Sequence, residues 1–313
     1  MISWKLASSI ALVVLIGAGC TRAAWRETAA EAAYPPTGQF VDVAGKKVHM
    51  EIAGSGPDLV LIHGASGSLR DMTFRLTPLL TDHYRVFTVD RPGFGYSDAM
   101  EDVSLRAQAA QIRAAVEKAG ARTPIVFGHS YGGAVALAWA AQAPASLRAM
   151  VLASAPSHLW EGPPPLLYQV TGPWLGQKLI TPLITAWAPD SVVEDAIAQA
   201  FAPQPVPEGY AAHFGPEMTL RRETMRVNAR QRLDIKSEIA TLLPTYADLT
   251  LPIELVHGDA DETVYLDIHS RALANEVASA RLAVLEGQGH MIQHTAADDL
   301  KAAIDRAAKR SAN

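Results

Sequence analysis

The sequence predicts an α/β fold, a mostly parallel eight-stranded sheet flanked by helices with a helical cap inserted after the sixth strand. Three observations carry that prediction. Short apolar runs alternate with amphipathic helical stretches, the rhythm of a parallel sheet covered on both faces. Residues 155–249, rich in proline and helical patterns, interrupt that rhythm, which then resumes. One strand-to-helix junction, Pro124-Ile125-Val126-Phe127-Gly128-His129-Ser130-Tyr131-Gly132-Gly133, puts a serine on a sharp turn at the end of a strand.

Taken in order, Phe40 to Val43 and Lys47 to Ile52 flank the turn Ala44-Gly45 and read as an antiparallel hairpin. Leu59 to Ile62, Val86 to Val89, Ile125 to Phe127 and Met150 to Leu152 are short apolar runs suited to buried parallel strands. Between them, Leu105, Ala109, Ile112, Val116 and Ala119 fall on one helical stripe, with Ser104 as N-cap and Gly120 as stop. The alanine-rich run Tyr131 to Gln142 reads as a helix. Within the insertion, Ser191 and Glu194 have capping-box spacing ahead of Ile197 and Phe201. The rhythm resumes with Ile253 to Val256, a helix near Asp267 to Val277, Arg281 to Leu285 and a last helix, where Thr295 and Asp298 suggest a second capping box.

The N-terminus reads as a targeting segment. Lys5 supplies a positive n-region and Leu6 to Gly19 an apolar h-region. At about 14 residues that run is short of the ~20 needed to span a bilayer, so a signal is expected rather than a transmembrane helix. Ile16-Gly17-Ala18-Gly19-Cys20 resembles a bacterial lipoprotein box, with Gly17 where a branched apolar residue is usual. The resemblance implies lipidation at Cys20, export to the cell envelope and membrane attachment through this segment. Cys20 is the single cysteine, which excludes an intramolecular disulfide. The expected organisation is residues 1–20 as signal, 21–37 as a tether, 38–154 with 250–313 as core, and 155–249 as cap.

The charge balance excludes one class of partner. A net charge of −5 without clustered Lys and Arg gives no nucleic-acid-binding face. No metal-ligand spacing of Cys and His and no internal repeat is found.

The chemistry centres on Ser130. Gly128-His129-Ser130-Tyr131-Gly132 is a G-x-S-x-G motif between a strand and a helix, the setting that holds a serine out as a nucleophile. A serine in an ordinary glycine-rich turn is the plain alternative, and the neighbouring motifs decide against it. Serine needs a base, which Gly287-Gln288-Gly289-His290-Met291 offers after the last strand, since imidazole accepts and returns a proton near neutral pH. An orienting acid should lie between the two, and His257-Gly258-Asp259-Ala260-Asp261-Glu262-Thr263-Val264 supplies three carboxylates. Spacing alone does not choose among them.

With these motifs the chain resembles the α/β-hydrolase superfamily from Gln39 to Ala308. The resemblance implies Asp261 as triad acid and Asp259 as a shaper of the turn. It implies oxyanion donors at the amides of Tyr131 and of Ala65, the latter in His63-Gly64-Ala65-Ser66-Gly67. His63 is expected to support that turn and His129 to pack. In Asp90-Arg91-Pro92-Gly93-Phe94-Gly95-Tyr96-Ser97-Asp98 the aspartate and arginine are expected to hold the fold, with Phe94 a candidate pocket residue.

The insertion carries Trp160, Tyr168, Trp174, Trp187, Phe201, Tyr210 and Phe214, expected to pack cap on core, with one or two facing an apolar acyl or aromatic group of a small-molecule substrate. Arg222, Arg226 and Arg230 share a helix face and read as solvated. A serine at the elbow argues against dehalogenase and epoxide hydrolase chemistry, which need an aspartate there. Hydrolysis of a carboxylic ester or related acyl bond, without metal or organic cofactor, is the expected function. Carbon–carbon hydrolysis of a diketone-type substrate, or a non-catalytic ligand-binding envelope protein, are the alternatives.

Overall fold

The computed structural model describes residues 4–312, with side chains from residue 17 onward. The side chains of Lys5 and of the apolar run up to residue 16, the expected n- and h-regions, lie outside the described ones. Among the described residues no helix is long and apolar enough to cross a membrane.

Eight strands form one sheet: β1 (Gln39–Val43), β2 (Lys46–Ala53), β3 (Asp58–Ile62), β4 (Arg85–Val89), β5 (Ile125–His129), β6 (Ala149–Ala153), β7 (Ile253–Gly258) and β8 (Ala280–Leu285). Their spatial order is β1-β2-β4-β3-β5-β6-β7-β8. The pair β1–β2 is antiparallel, as the hairpin predicts, β2–β4 is antiparallel as well, and all others are parallel, as the apolar runs predict. Helix α1 (Trp4–Ala33) precedes the sheet; α2 (Leu69–Thr73), α3 (Leu76–Leu80), α4 (Leu105–Lys118) and α5 (Tyr131–Gln142) lie among the first strands. Between β6 and β7 come α6 (Leu166–Thr171), α7 (Trp174–Trp187), α8 (Asp190–Phe201), α9 (Tyr210–Phe214) and α10 (Arg222–Leu242). Helix α11 (Ser270–Glu276) leads to β8, and α12 (Ile292–Thr295) and α13 (Ala297–Arg310) end the chain.

The central strands β3, β5 and β6 are buried at every position because both faces are covered. Val60, Ile62, Val126 and Leu152 pack with residues of α4 and α5 on one face. The alternate residues Leu59, Leu61, Ile125, Phe127 and Val151 meet Leu76, Leu80, Leu300 and Ile304 of α3 and α13 on the other. β3 lies between β4 and β5, so the chain reverses its direction of travel across the sheet there. The loops leaving β3 and β5 therefore border the crevice where open α/β sheets bind ligands.

Helix α4 starts and stops as expected: the Ser104 hydroxyl accepts from the Ala107 amide at 3.1 Å, and Gly120 adopts φ +95° just beyond the end. Neither capping box forms. Helix α8 begins at Asp190 behind Pro189, whose φ of −67° already suits the entry, so Ser191 lies inside the first turn. Asp190 only adds a negative charge to the first turn, with no side-chain hydrogen bond to the amides. Ala296 precedes α13, and the Thr295 hydroxyl instead donates to the Met291 carbonyl within α12.

The expected tether of residues 21–37 is helical as far as Ala33 and docks on the insertion. The reason is a set of unmet helix ends. Arg22 Nε and Arg26 Nη1 donate to the carbonyls of Ala186 and Ala188, at the end of α7, at 2.8 and 2.9 Å. The Glu27 carboxylate takes the Arg222 amide at 2.7 Å, at the start of α10, and both its Nε and Nη2 at 2.8 and 2.6 Å. Cations thus meet a negative helix end and a carboxylate a positive one. The arginine stripe is likewise engaged rather than solvated: Arg226 donates to the Gln177 carbonyl and Arg230 to that of Glu101. Trp174 and Trp187, expected to pack cap on core, are instead exposed, whereas Phe201, Tyr210 and Phe214 are buried together.

A paired substitution tests the helix starts. Ser104→Ala is expected to lower stability by about 1 kcal/mol, whereas Ser191→Ala should change it by less than about 0.5 kcal/mol. Urea unfolding midpoints decide; equal losses at both positions would contradict the assigned caps.

Candidate active site

Ser130 occupies the turn between β5 and α5 at φ +50° and ψ −124°, a conformation that L side chains rarely adopt. Its amide donates to the Ala153 carbonyl at 2.9 Å and its carbonyl accepts from Gly133 at 2.8 Å, which fixes the turn. A Cβ on Gly128 would overlap the Gly132 carbonyl, and one on Gly132 would overlap that of Ile62. Both motif glycines are thus required by close approach of strand, loop and helix.

Three side chains far apart in sequence converge here. The Ser130 hydroxyl lies 3.0 Å from His290 Nε2, and His290 Nδ1 lies 2.8 Å from Asp261 Oδ2. With Nδ1–H donating to the carboxylate, Nε2 is left to accept from the hydroxyl. The other oxygen of Asp261 accepts the amides of Thr263 and Val264 at 2.8 and 2.9 Å. Burial works to raise the Asp261 pKa, but hydrogen bonds from His257 and His290 and the Val264 amide outweigh it and hold the group well below the usual carboxylate range. Asp259 sits outside this chain of contacts and accepts the Gly287 amide, shaping the turn as expected.

His257 is a partner that sequence reading did not single out, although it lies in the same loop motif. Its Nε2 is 2.7 Å from the Val264 carbonyl and 3.3 Å from Asp261 Oδ2, while Nδ1 meets the Ser270 hydroxyl at 2.7 Å. His129 does more than pack. Its Nε2 donates to the His290 carbonyl at 3.0 Å and its ring lies against the His290 ring at 4.9 Å between centroids. Burial, followed by the nearby His290, lowers its pKa to about 3, so it stays neutral.

The loop after β3 is held from beneath by Arg91. This fully buried guanidinium donates to the carbonyls of His63 and Gly64 at 3.0 and 2.9 Å and to the amide oxygens of Gln108 and Gln231 at 2.9 and 2.6 Å. It stacks on Phe94 and Tyr131, with centroids 4.3 and 4.5 Å away. Phe94, a candidate pocket residue, is therefore sealed between Arg91 and Val227. His63 Nδ1 donates to Gly64 O at 2.8 Å, and Nε2 accepts the Arg91 amide at 3.0 Å, a supporting role. Tyr131 opens α5, so its N–H is one of the helix's unpaired donors. Ala65 follows Gly64 on the loop tied down by Arg91.

Two cap amides clamp these loops. Gln204 donates to the Gly287 carbonyl at 2.7 Å and accepts the Gly289 amide at 2.9 Å, beside His290. Asn228 of α10 accepts the Ser66 amide at 3.2 Å and donates to its hydroxyl at 2.8 Å, next to Ala65. Ser66 itself has φ +54°. These pairings span 85 and 162 positions, so no local pattern announces them. A third contact ties cap to core: Asp71 of α2 accepts from Tyr210 of α9 at 2.8 Å, His294 at 2.9 Å and Gln293 at 3.1 Å. Ser130 and His290 are only 6 % and 7 % exposed. Among the described residues no cluster of His, Cys, Asp and Glu is arranged to hold a metal ion.

Residues 59–303 match the Alpha/beta hydrolase family. A solved alpha/beta hydrolase fold protein from Burkholderia ambifaria superposes with a TM-score of 0.69 at 27% identity, covering 86% of this chain and 99% of that one. The chain is 37% identical over 130 residues to the dihydrolipoyllysine-residue acetyltransferase component of an acetoin cleaving system from Cupriavidus necator, covering 41% of this chain and 33% of that protein. It is 37% identical over 103 residues to a pimeloyl-[acyl-carrier protein] methyl ester esterase from Methylococcus capsulatus, 33% of this chain and 39% of that one. The chain thus spans well under half the length of these two relatives.

The buried imidazoles set a pH dependence. Burial is the leading cause that lowers His63 to about 4, His129 to about 3 and His269 to about 4, against an ordinary 6.5. Because the folded state disfavours their protonation, their contribution is complete above about 6.5 and is lost as pH falls toward those values. The thermal unfolding midpoint should therefore drop between pH 7 and pH 5, and drop less in His129→Asn; a flat profile would contradict this account.

Proposed function

This chain belongs to the alpha/beta hydrolase family and is a hydrolase, and on that premise we propose that it cleaves a carboxylic ester or related acyl bond through an acyl-enzyme on Ser130. The observation that carries the reading is the unbroken line of hydroxyl, imidazole and carboxylate at 3.0 and 2.8 Å. The methyl ester esterase of Methylococcus capsulatus, a partial relative, supports ester over other acyl bonds.

In this reading His290 Nε2 takes the Ser130 proton as the oxygen attacks the substrate carbonyl carbon. Asp261 keeps the proton of His290 on Nδ1 and balances the imidazolium. The negative charge on the carbonyl oxygen falls to the amides of Tyr131 and Ala65. The imidazolium then protonates the leaving alcohol, and a water deprotonated by His290 releases the acid and restores Ser130. The proton ledger closes within these residues, so no cofactor enters the scheme. Substrate is a small molecule with an apolar acyl or aromatic group. We further propose that the chain works at the cell envelope, attached to a membrane through its N-terminal segment, with Cys20 as the lipidation site.

Wild-type protein should be labelled by a fluorophosphonate and Ser130→Ala should not. His290→Ala should lose roughly three to six powers of ten in kcat/KM while keeping its unfolding midpoint; near-normal turnover in that variant would sink the mechanism. Rates on nitrophenyl esters of increasing chain length, beside a vinylogous diketone, separate ester from carbon–carbon hydrolysis. Asn228→Ala and Gln204→Ala, which touch no reacting atom, should each lower kcat by roughly 10- to 100-fold with a smaller change in KM.

A further inference from the structure

Helices α6 and α7 present an apolar face that the insertion leaves uncovered. Leu166 is 71 % exposed, Trp174 68 % and Leu175 61 %, joined by Leu167, Leu179 and Ile180. Lys178 is the one charged residue of the two helices. On α7 the positions 175, 179, 183 and 187 recur every four residues and form one stripe.

The stripe has two ends with different surroundings. At its C-terminal end Gly19 of α1 sits so close to Leu183 and Trp187 that a Cβ there would lie 3.1 Å from Leu183 Cδ2. The Arg22 guanidinium stacks over the Trp187 ring at 4.6 Å and the helix end is capped by Arg22 and Arg26. From Gly19 the chain continues toward its start through Leu6 to Ala18, a stretch without a single charge. At the other end of the stripe, Trp174, Leu175 and Leu179 stand exposed. The uncharged segment is thus the first half of α1, the helix packed beside the one that carries the exposed side chains, and Cys20, half-buried, follows it directly.

We infer that the α6–α7 face rests on a lipid bilayer, its leucines and Trp174 entering the interfacial region beside the N-terminal anchor. Large apolar side chains, a tryptophan and a lysine that can extend its head to the headgroups are the composition of an interfacial helix. The inference holds whether the anchor is the apolar segment itself or a lipid on Cys20, since both emerge beside α7. It rests on the proposal that the N-terminus enters a membrane and is independent of the hydrolytic mechanism. A cap lying on the bilayer is consistent with substrates that arrive from the lipid phase.

The test uses the full chain and vesicles of phosphatidylethanolamine and phosphatidylglycerol with brominated acyl chains, which quench tryptophan on contact. Quenching is compared between wild type and Trp174→Phe, so that the difference reports residue 174 alone. The expected result is a clear excess of quenching in wild type. Leu175→Glu with Leu179→Glu should weaken vesicle binding at least about tenfold, with unchanged unfolding midpoint and fluorophosphonate labelling. Vesicle binding with equal quenching in the two proteins would mean that the N-terminus alone anchors the chain, and overturns the inference. Absence of vesicle binding overturns it together with the anchor. Lipid-free self-association abolished by the two glutamates would assign the face to a second copy of this chain instead.

Discussion

A single buried guanidinium organises the region where Ser130, His290 and Asp261 converge. Arg91 is fully enclosed, and burial lowers its pKa to about 10, still high enough to leave it charged at neutral pH. A charge in that position is tolerable only because carbonyl and amide oxygens from the loop after β3, from α4 and from α10 surround it. The same set of bonds decides where the Ala65 loop runs and draws the cap helix α10 onto the core. Removing the guanidinium would take a donor from four interior oxygens at once, so the loop, the sheet edge and the insertion are mutually dependent.

Around that anchor, each reactive group is held from at least two directions. The serine turn is locked by β6 and α5, the imidazole by Asp261 on one nitrogen and by His129 on its carbonyl. Asp261 is itself held by two amides and approached by His257. Such redundancy is what preorganised catalysis requires, because a group free to swing pays for its positioning in every turnover. The insertion contributes to this rigidity through Gln204 and Asn228, which bond the His290 and Ala65 loops.

The N-terminal helix illustrates how tertiary context redefines a polar stretch. Residues 21–33 look like a spacer because their charges and alanines have no local purpose. Arg22 and Arg26 meet the carbonyl end of α7 and Glu27 the amide end of α10, both of which exist only once the insertion has folded. The same holds for the arginines at 222, 226 and 230, whose partners lie on α1, on α7 and in the loop before α4.

Motifs that act through the adjacent backbone were therefore legible from residues alone: the strand rhythm, the hairpin, the α4 cap, the glycines at 128 and 132, and the serine, acid and histidine in their chain order. They are legible because steric overlap and period-two burial are local rules written into neighbouring residues. The two capping boxes failed because a proline and a short preceding helix set those starts first. Only the tertiary structure decided that 261 rather than 259 faces the imidazole, that Gln204, Asn228 and His257 brace the site, and that two tryptophans of the insertion turn outward. Those outcomes depend on which surfaces meet across scores of intervening positions, and a one-dimensional pattern carries no record of such distances.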